Sequence, residues 1–349
     1  MLRLKWYERE GADDDIVVAS RVRLQRNLKG YLFPVKMTDE DLATMDQQLE
    51  RSFACLQTTT GLDYDTMDLQ QLSDRARMAL QERQLISHGI AENTHPMSMM
   101  LSKDESVGLI FNGEDHIRLQ VSCSGLNLEG AWAQADRLDD QINEKYEYAF
   151  DPKFGYMTTY PTHLGTGMRA YLLLHLPLLS GSKRFSATMQ EVSRFGIVMK
   201  QAFGSDGEAY GDMYVIYNQK TLGQSEEDLI AVLNKIGRRI LEQETKLREL
   251  AMQSQKDARE DQTYRAYGLL RYARSLTIKD ALHYLSKLRL GATLGLIQFE
   301  TPVSLFQMMQ CCQSASLQTM YHREMSEEEQ NRYRAEYIRK HLPECKEEE

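Results

Sequence analysis

The feature that most constrains the fold of this chain is a change in its hydrophobic periodicity. Between residues 97 and 217 the sequence contains short apolar or alternating runs, broken by turn residues, of the kind that forms β-strands. These runs are Ser98–Ser102, Val107–Phe111, 116–122, 156–159, 196–200 and 213–217. From Ser225 onward only helical patterns remain. A part that contains strands, followed by an all-helical part, is therefore predicted.

A hairpin is predicted at Asn112 and Gly113, which separate two of these runs. Both residue types tolerate positive φ, as tight hairpin turns require. The turn places Glu114, His116 and Arg118 close together. We expect His116 to support the hairpin and to take no part in catalysis.

Helix signals predict the rest of the organisation. Thr38 begins a helix that extends to about residue 56, and another spans about 69–85, so the first ninety residues are predicted to be mostly helical. Ser225 caps a helix that extends to about 261. The remaining predicted helices are 129–148, 188–195, 264–274, 277–288, 302–313 and 326–341.

The domain boundary is placed within the long helix, near residue 245. The predicted divisions are a flexible N-terminus at 1–14, a domain at 15–245 and a helical domain at 246–345. Within 15–245, residues 15–90 form a helical lobe and residues 91–245 form the lobe that contains the sheet.

Composition excludes several classes of protein. The 349 residues carry a net charge of −9, which argues against general binding of nucleic acid or of anionic membranes. Five cysteines without CxxC spacing argue against a disulfide framework or a zinc site. No signal peptide and no apolar run of about 20 residues is found. A cytoplasmic protein with reduced thiols is expected.

A glycine-rich stretch, Tyr-Pro-Thr-His-Leu-Gly-Thr-Gly-Met-Arg-Ala at 160–170, is the first candidate for chemistry. Glycines at this spacing let backbone amides approach an anion closely. An ordinary turn is the commoner explanation of such a stretch when it is considered alone.

Arginines next to predicted strands and turns are the second candidate. In an extended segment at 15–24, Arg21 and Arg23 point to the same face, either into solvent or towards a phosphate. With Arg118 and Arg169 they could neutralise a triphosphate without a Walker P-loop, which this sequence lacks. Glu114 could serve as the partner of a cationic acceptor or as a general base.

Three stretches together resemble signatures of the ATP:guanido phosphotransferases, the phosphagen kinase family. They are Ser-Arg-Val-Arg-Leu at 20–24, Asn-Gly-Glu-Asp-His-Ile-Arg at 112–118 and the glycine-rich stretch at 160–169. The wider match, from Asp15 to Leu342, is closer to the bacterial protein-arginine kinases of heat-stress control. It includes residues 211–218 and the all-helical C-terminal part.

The resemblance implies an α+β fold with a small helical lobe, then an antiparallel sheet flanked by helices, and finally the helical C-terminal domain. ATP with Mg²⁺ would lie on the sheet. Arg21, Arg23, Arg118 and Arg169 would hold its phosphates, with Lys200 assisting, and Arg169 would also act in catalysis. Glu114 would orient the acceptor guanidinium. The 246–345 domain would bind substrate or client proteins, and a homodimer is expected.

Several positions depart from the family pattern. Gly113 replaces an acid, Tyr160 replaces a cysteine whose thiolate lies near the guanidinium, and His163 replaces an asparagine. Lys200 replaces an arginine, and Ser205 occupies the place of a second catalytic glutamate.

Two further sites are altered. Asp206 and Glu208 are the candidate substitutes for the missing carboxylate. In the C-terminal phosphoarginine pocket of the bacterial kinases, the matching positions here are Gln330, Asn331 and Arg334, so only the last arginine remains.

Three functions stay open at this point. The first is a protein-arginine kinase, the second a pseudokinase that binds nucleotide and partner proteins, and the third a kinase of small guanidines. The helical C-terminal part disfavours the third, because a free metabolite needs no docking surface.

Overall fold

The centre of the molecule is an antiparallel sheet of eight strands. The computed structural model describes residues 4–53, 60–205 and 208–346. The strands of the sheet are β1 (Val17–Arg26), β2 (Tyr64–Asp68), β3 (Ser98–Ser102), β4 (Val107–Phe111), β5 (Ile117–Ser124), β8 (Met168–His175), β9 (Ile197–Gln201) and β12 (Met213–Asn218). Their spatial order is β2-β3-β4-β5-β1-β8-β12-β9. Two short ribbons pair β6 (Phe150–Asp151) with β7 (Gly155–Tyr156) and β10 (Gly204–Ser205) with β11 (Glu208–Ala209).

Strand β1 is the central strand, and nine of its ten residues are buried. It pairs with β5 on one side and with β8 on the other. The register places Arg23 directly opposite Gln120 of β5 and Arg169 of β8. Arginines in a central strand that is covered on both sides are unusual, because charged side chains are rarely buried without a partner.

Ten helices surround the sheet in the described residues. They are α1 (Asp39–Phe53), α2 (Asp74–Glu82), α3 (His88–Glu92), α4 (Leu128–Asn143), α5 (Phe185–Arg194), α6 (Glu226–Tyr272), α7 (Ile278–Thr293), α8 (Leu305–Cys311), α9 (Ser314–Met320) and α10 (Glu327–His341). Helix α4 packs on β1 and β5, and the first half of α6 packs on β8 and β12. Apolar residues such as Leu24, Leu172 and Ile236 form the core beneath them.

The C-terminal region is entirely helical, as the periodicity predicts. Its core includes Leu285, Met309 and Ile338. Helices α6 and α7 approach so closely that a Cβ on Gly291 would lie 2.2 Å from Cγ2 of Thr263. The predicted fold class, an antiparallel sheet with flanking helices and a helical C-terminal region, is confirmed.

The N-terminus, which the sequence predicts to be flexible, makes specific contacts in its described residues. Trp6 is buried, its ring packs against Phe306 of α8, and its amide donates to the carbonyl of Asp104. Burial of one large aromatic side chain is enough to hold a short segment in place. The N-terminal segment therefore joins the sheet to the helical region.

The prediction of mostly helical structure over the first ninety residues is also wrong in part. Residues 15–90 contribute β1 to the centre of the sheet and β2 to its edge, while α1, α2 and α3 pack around them. A strand buried on both faces has no alternation to indicate its pairing. The division at residue 245 stays a prediction.

Other boundaries differ locally. The 112–113 hairpin is confirmed, but its loop spans 112–116, and only Asn112 takes a positive φ, of 53°. The predicted strand at 156–159 is reduced to β7. The predicted helix at 264–274 is the end of α6, which is interrupted only at Gln255. No helix among the described residues has the length and apolar character needed to cross a membrane.

Candidate phosphate and acceptor site

Four predicted arginines meet on three adjacent strands. Arg21 and Arg23 lie two residues apart on β1, Arg118 lies on β5 and Arg169 on β8. Gln120 links two of the guanidinium groups, because its Oε1 accepts from Nη2 of Arg23 at 3.0 Å and from Nη2 of Arg118 at 3.4 Å. Residues two apart in one strand point to the same face of the sheet, and so do residues directly opposite each other on neighbouring strands. The sheet therefore gathers the basic side chains that the sequence places far apart.

The turn after α2 supplies acceptors for the two most buried arginines. Nη1 of Arg21 donates to the carbonyl of Gln84 at 3.1 Å and to its Oε1 at 3.2 Å. Nη2 of Arg118 donates to the carbonyl of Leu85 at 3.2 Å. Nε of Arg21 also donates to Oγ of Ser122 at 3.0 Å. These neutral acceptors orient the guanidinium groups without neutralising them.

Two tyrosines hold the remaining basic groups. Tyr171 accepts from Nη1 of Arg23 at 3.0 Å, and the guanidinium lies 5.1 Å from its ring centre. Arg169 and Lys200 lie on the ring of Tyr217, at 5.3 and 5.5 Å from its centre. Such cation–π contacts favour flat placement of a cation on a ring. Lys200, on β9, thereby lies beside Arg169 of the arginine cluster.

The positive charges of the cluster are not balanced by ion pairs among the described residues. Burial, reinforced by the neighbouring Arg23, lowers the pKa of Arg118 to about 9 and the pKa of Arg21 to about 10. None of the ion pairs among residues 4–53, 60–205 and 208–346 includes any of the four arginines (Arg21, Arg23, Arg118 and Arg169). Gathered cations without carboxylates favour an anionic ligand.

Buried donors in the cluster point to the same conclusion. Nε of Arg23, Nε and Nη1 of Arg118 and Nε of Arg169 have no hydrogen-bond partner among the described residues. Leaving a buried donor unpaired costs the protein the free energy of desolvating that group, and this cost is larger when the group is charged. A phosphate offers enough oxygen acceptors to pair all of them. The residues present therefore fit a phosphate chain.

His163 lies at the margin of this cluster. Burial, and then repulsion by Arg169, Arg23 and Arg118, lowers its pKa to about 3. Its Nδ1 is buried and has no partner among the described residues. The ring of Tyr160 meets the ring of His163 edge-on at 6.0 Å, and the tyrosine side chain is half exposed. Tyr160, where the family resemblance implies a cysteine, therefore lies beside His163 and supplies no thiolate.

Glu114 lies in the β4–β5 hairpin, close enough to Arg118 to act on its charge. Its Oε1 accepts from Oγ of Ser87 at 2.5 Å. Among the charges that act on Arg118, Glu114 is the one carboxylate that favours its protonated form. The predicted acceptor carboxylate and the predicted phosphate arginines are therefore neighbours.

The hairpin is held by buried polar contacts. Nδ1 of His116 accepts from the amide of Leu28 at 3.1 Å, and burial lowers the pKa of His116 to about 4, so the ring is neutral at pH 7. Oδ1 of Asp115 accepts from Asn27 at 2.6 Å and from the amide of Thr159 at 2.7 Å. The contact with Thr159 ties the hairpin to the start of the glycine-rich stretch. His116 supports the hairpin, as predicted.

The glycines at 165 and 167 make room for backbone, which differs from the predicted role. A Cβ on Gly165 would lie 2.5 Å from the carbonyl oxygen of Thr221, and one on Gly167 would lie 2.6 Å from that of Gln25. Their φ angles are 108° and 62°. They let the stretch pack against neighbouring strands, so the predicted nest of ligand-binding amides gains no support from these two positions.

The loop after β9 contains Ser205 and the two carboxylates predicted to replace the second catalytic glutamate. Ser205 and Glu208 face each other across the β10–β11 ribbon. Asp206 lies outside the described residues, as do the side chains of Ser205 and Glu208. The proposed replacement of the second glutamate therefore stays a prediction.

Arg334 does not join the cluster. It is buried in the helical region, where Nε donates to the carbonyl of Cys312 and Nη1 to that of Leu276, both at 2.8 Å. Nη1 also donates to Oδ1 of Asn331 at 2.6 Å. In this arrangement Arg334 connects helical segments.

Sequence reasoning missed the residues that orient the arginines. Tyr171 lies two residues after Arg169 in the same strand, so strand periodicity offered a signal for it. Tyr217 pairs with Tyr171 across β12 and β8. That pairing can be predicted only when the order of the strands in the sheet is known. No sequence signal marks Gln84, because its role depends on the turn that brings its carbonyl to Arg21.

Comparison with known proteins gives two family matches. Residues 44–247 match the family described as ATP:guanido phosphotransferase, C-terminal catalytic domain. Residues 256–349 match the family described as protein-arginine kinase McsB C-terminal domain.

Similar sequences span the whole chain. A protein-arginine kinase of Clostridium acetobutylicum is 36% identical over 338 residues, which cover 97% of this chain and 99% of the relative. A protein-arginine kinase of Bacillus cereus is 36% identical over 337 residues, which cover 97% of this chain and 95% of the relative.

Similar solved structures support the fold. The duplicated taurocyamine kinase from Schistosoma mansoni, with bound transition state analog components, matches with a TM-score of 0.59 and 22% identity. That match covers 70% of this chain and 35% of the kinase chain, so this chain spans about a third of it. A lombricine kinase matches with a TM-score of 0.57 and 19% identity, covering 70% and 69%.

Proposed function

Because the chain belongs to the ATP:guanido phosphotransferase family, we propose that it transfers the γ-phosphoryl group of MgATP to the guanidinium of arginine residues in proteins. The observation that carries the proposal is the cluster of four arginines beside Glu114, in which Arg23, Arg118 and Arg169 keep buried donor atoms without a partner among the described residues. Its relatives at 36% identity carry the name protein-arginine kinase.

The arginines would bind the phosphate chain and neutralise its developing charge. Arg118 offers two free donor atoms, and Arg23 and Arg169 offer one each. Phosphoryl transfer depends mainly on positioning and charge neutralisation, which these groups supply. Mg²⁺ would arrive with the nucleotide, coordinated mainly by phosphate oxygens.

Glu114 would orient the acceptor. Oγ of Ser87 donates to its Oε1, which leaves Oε2 for the guanidinium of a substrate arginine. In the transfer, a guanidinium nitrogen forms a bond to the γ-phosphorus, the bond to the bridging oxygen of ADP breaks, and one proton leaves the attacking nitrogen. Glu114 is the carboxylate placed to accept that proton.

The acceptors would be proteins, and the helical region at 246–345 would dock them. This region matches the C-terminal domain described for protein-arginine kinases. It packs around an apolar core that includes Leu285 and Met309 and is shared with the sheet residues Leu173 and Met213, so it would present a surface beside the catalytic part. Dimerisation stays a prediction.

A pseudokinase is the second candidate, because two catalytic positions are altered. Tyr160 and Ser205 occupy the places where the family resemblance leads us to expect a cysteine and a glutamate. Loss of a positioned charge at a reacting centre commonly costs about 2.7–4 kcal/mol in the barrier. In that case the arginine cluster would bind nucleotide, and the helical region would bind partners without transfer.

The test is transfer of labelled γ-phosphate from MgATP to an unfolded, arginine-containing protein. We expect acid-labile label on the acceptor, located on arginine by mass spectrometry. Arg118→Ala removes a buried phosphate ligand and abolishes transfer. Arg137→Ala, at an exposed position on α4, is the matched control and leaves transfer unchanged.

Two outcomes separate the candidates. Absence of label, together with MgATP binding that is lost in Arg118→Ala, contradicts the kinase and supports the pseudokinase. Transfer to free arginine that equals transfer to protein would instead favour a kinase of small guanidines.

A further inference from the structure

The turn between α2 and α3 contacts both halves of the proposed reaction site. Its residues Gln84 and Leu85 accept from Arg21 and Arg118 through their main-chain carbonyls. Nε2 of Gln120 also donates to the Gln84 carbonyl, at 3.4 Å. Three residues after Gln84, Oγ of Ser87 donates to Glu114. One short segment therefore sets the positions of the phosphate arginines and of the acceptor carboxylate.

The same segment is attached to the helical region at its other end. The carboxylate of Glu82 accepts from the amides of Ala315 and Ser316, at 2.8 and 2.7 Å, and from Oγ of Ser316 at 2.7 Å. Nε2 of Gln313 donates to the Glu82 carbonyl at 3.4 Å. Helix α9, which begins at Ser314, packs on α2. Charge-assisted bonds of this kind are the stronger ones in proteins.

The conformation of the segment needs outside support. Gln84 has a φ of 59°, in the left-handed region that residues with a Cβ rarely adopt. Such a conformation costs about 1–3 kcal/mol and persists only where surrounding contacts hold it. The bonds of Glu82 are two residues away and supply such a contact.

We propose that the segment Glu82–Ser87 is a positioning element for phosphoryl transfer, and that the contact of Glu82 with the start of α9 holds it in the arrangement that aligns Arg21, Arg118 and Glu114. This inference rests on the proposed function for its kinetic consequences. Its consequence for nucleotide affinity rests on the arginine cluster alone. Occupation of the helical region by a protein that moves α9 would thereby change the nucleotide site.

The experiment compares variants at the two ends of the segment. Glu82→Ala removes all three bonds to α9 and leaves every group of the reaction site in the chain. We expect it to weaken MgADP binding about tenfold, since Arg21 and Arg118 lose their fixed acceptors. Glu82→Gln keeps one acceptor oxygen, so we expect its MgADP affinity to lie between that of Glu82→Ala and that of the wild type.

Ser87→Ala tests the acceptor end of the segment. We expect MgADP affinity to stay within about twofold of the wild type, while the KM for the protein acceptor rises, because Glu114 and the amide of Ile90 lose a partner and none of the phosphate arginines does. Glu92→Ala removes an exposed carboxylate at the end of α3 and is the matched control, with unchanged affinity and kinetics.

Ser316→Ala is the second variant, used if Glu82→Ala fails to fold. It removes one bond from the side of the helical region, and we expect MgADP binding about threefold weaker. Unchanged MgADP affinity in Glu82→Ala or Ser316→Ala, with only a lower Tm, overturns the inference and leaves a purely structural contact. If the wild type transfers no phosphate, the proposed function fails, but MgADP affinity still decides the role of Glu82.

Discussion

Arg23 and Arg169 lie directly opposite each other on β1 and β8, so two like charges are paired across adjacent strands at the centre of the sheet. Like charges in this position destabilise a sheet. Tyr171 and Tyr217 accommodate the two guanidinium groups through ring contacts, and no carboxylate among the described residues forms an ion pair with either. A site for a polyanion is expected to show such repulsion between its cations before the ligand binds.

Replacement of one of these arginines should therefore stabilise the free protein. We expect Arg169→Met to raise the free energy of unfolding by about 1 kcal/mol, because it removes the repulsion and keeps the apolar stem. The same variant should lose the rise in Tm that MgADP gives the wild type. Thermal unfolding with and without MgADP measures both. A less stable free variant would contradict the account, and Arg137→Met is the exposed control.

Nucleotide affinity should depend on pH through Arg118. Burial lowers its pKa to about 9, and we expect MgADP to bind the protonated form. Affinity should therefore be constant near neutral pH and fall as the pH rises through about 9, approaching tenfold per pH unit. Titration calorimetry from about pH 7 to 10.5 follows the change. Constant affinity over that range would show that Arg118 keeps its proton. The weak residual binding of Arg118→Met should lack the fall near pH 9 and keep only the later fall near pH 10 that Arg21 gives.

Restoring the missing carboxylate should increase transfer. We expect Ser205→Glu to raise the rate of phosphoryl transfer to protein by about tenfold or more, because a second carboxylate would orient the acceptor guanidinium opposite Glu114. Ser205→Gln has the same size without the charge and should give no gain. Tyr160→Cys should add a smaller increase. Initial rates at saturating MgATP measure the effect, and a Ser205→Glu variant that is no faster than the wild type would contradict this prediction.

The close crossing of α6 and α7 allows a paired test of the helical region. Gly291→Ala should lower the free energy of unfolding by about 1–3 kcal/mol, because the new Cβ meets Thr263. Gly268→Ala, on α6, has open space around it and should raise stability by up to about 1 kcal/mol through helix propensity. Chemical denaturation measures both variants. Equal effects of the two substitutions would show that the helices do not meet at Gly291.

Strand and helix periodicity predicted most of the fold. The runs that became β3, β4, β5, β9 and β12 alternate or are bounded by turn residues, and the capped helices begin where Thr38, Ser225 and Ser326 predict. The position of β1 could not be predicted from periodicity, because a strand buried on both sides carries no alternation. The anchoring of Trp6 depends on Phe306, 300 residues away in the chain, and no local pattern connects them.

The sequence pointed to the charged residues that the sheet brings together and missed the neutral residues that orient them. The family resemblance singled out Arg21 and Arg23, whereas Gln84 and Leu85 act through main-chain carbonyls that any residue carries. The nest of amides considered for Gly165 and Gly167 gains no support for a similar reason, since positive φ serves close backbone packing as well as ligand binding.

The most direct test of the central claim is the reverse reaction. A peptide that carries phosphoarginine is mixed with MgADP, and ATP is measured by luminescence. Since a catalyst of transfer must accelerate both directions, we predict ATP formation by the wild type and none by Arg118→Ala. Phosphate release without ATP would indicate hydrolysis. MgADP binding without any ATP formation would contradict the kinase and leave a nucleotide-binding pseudokinase.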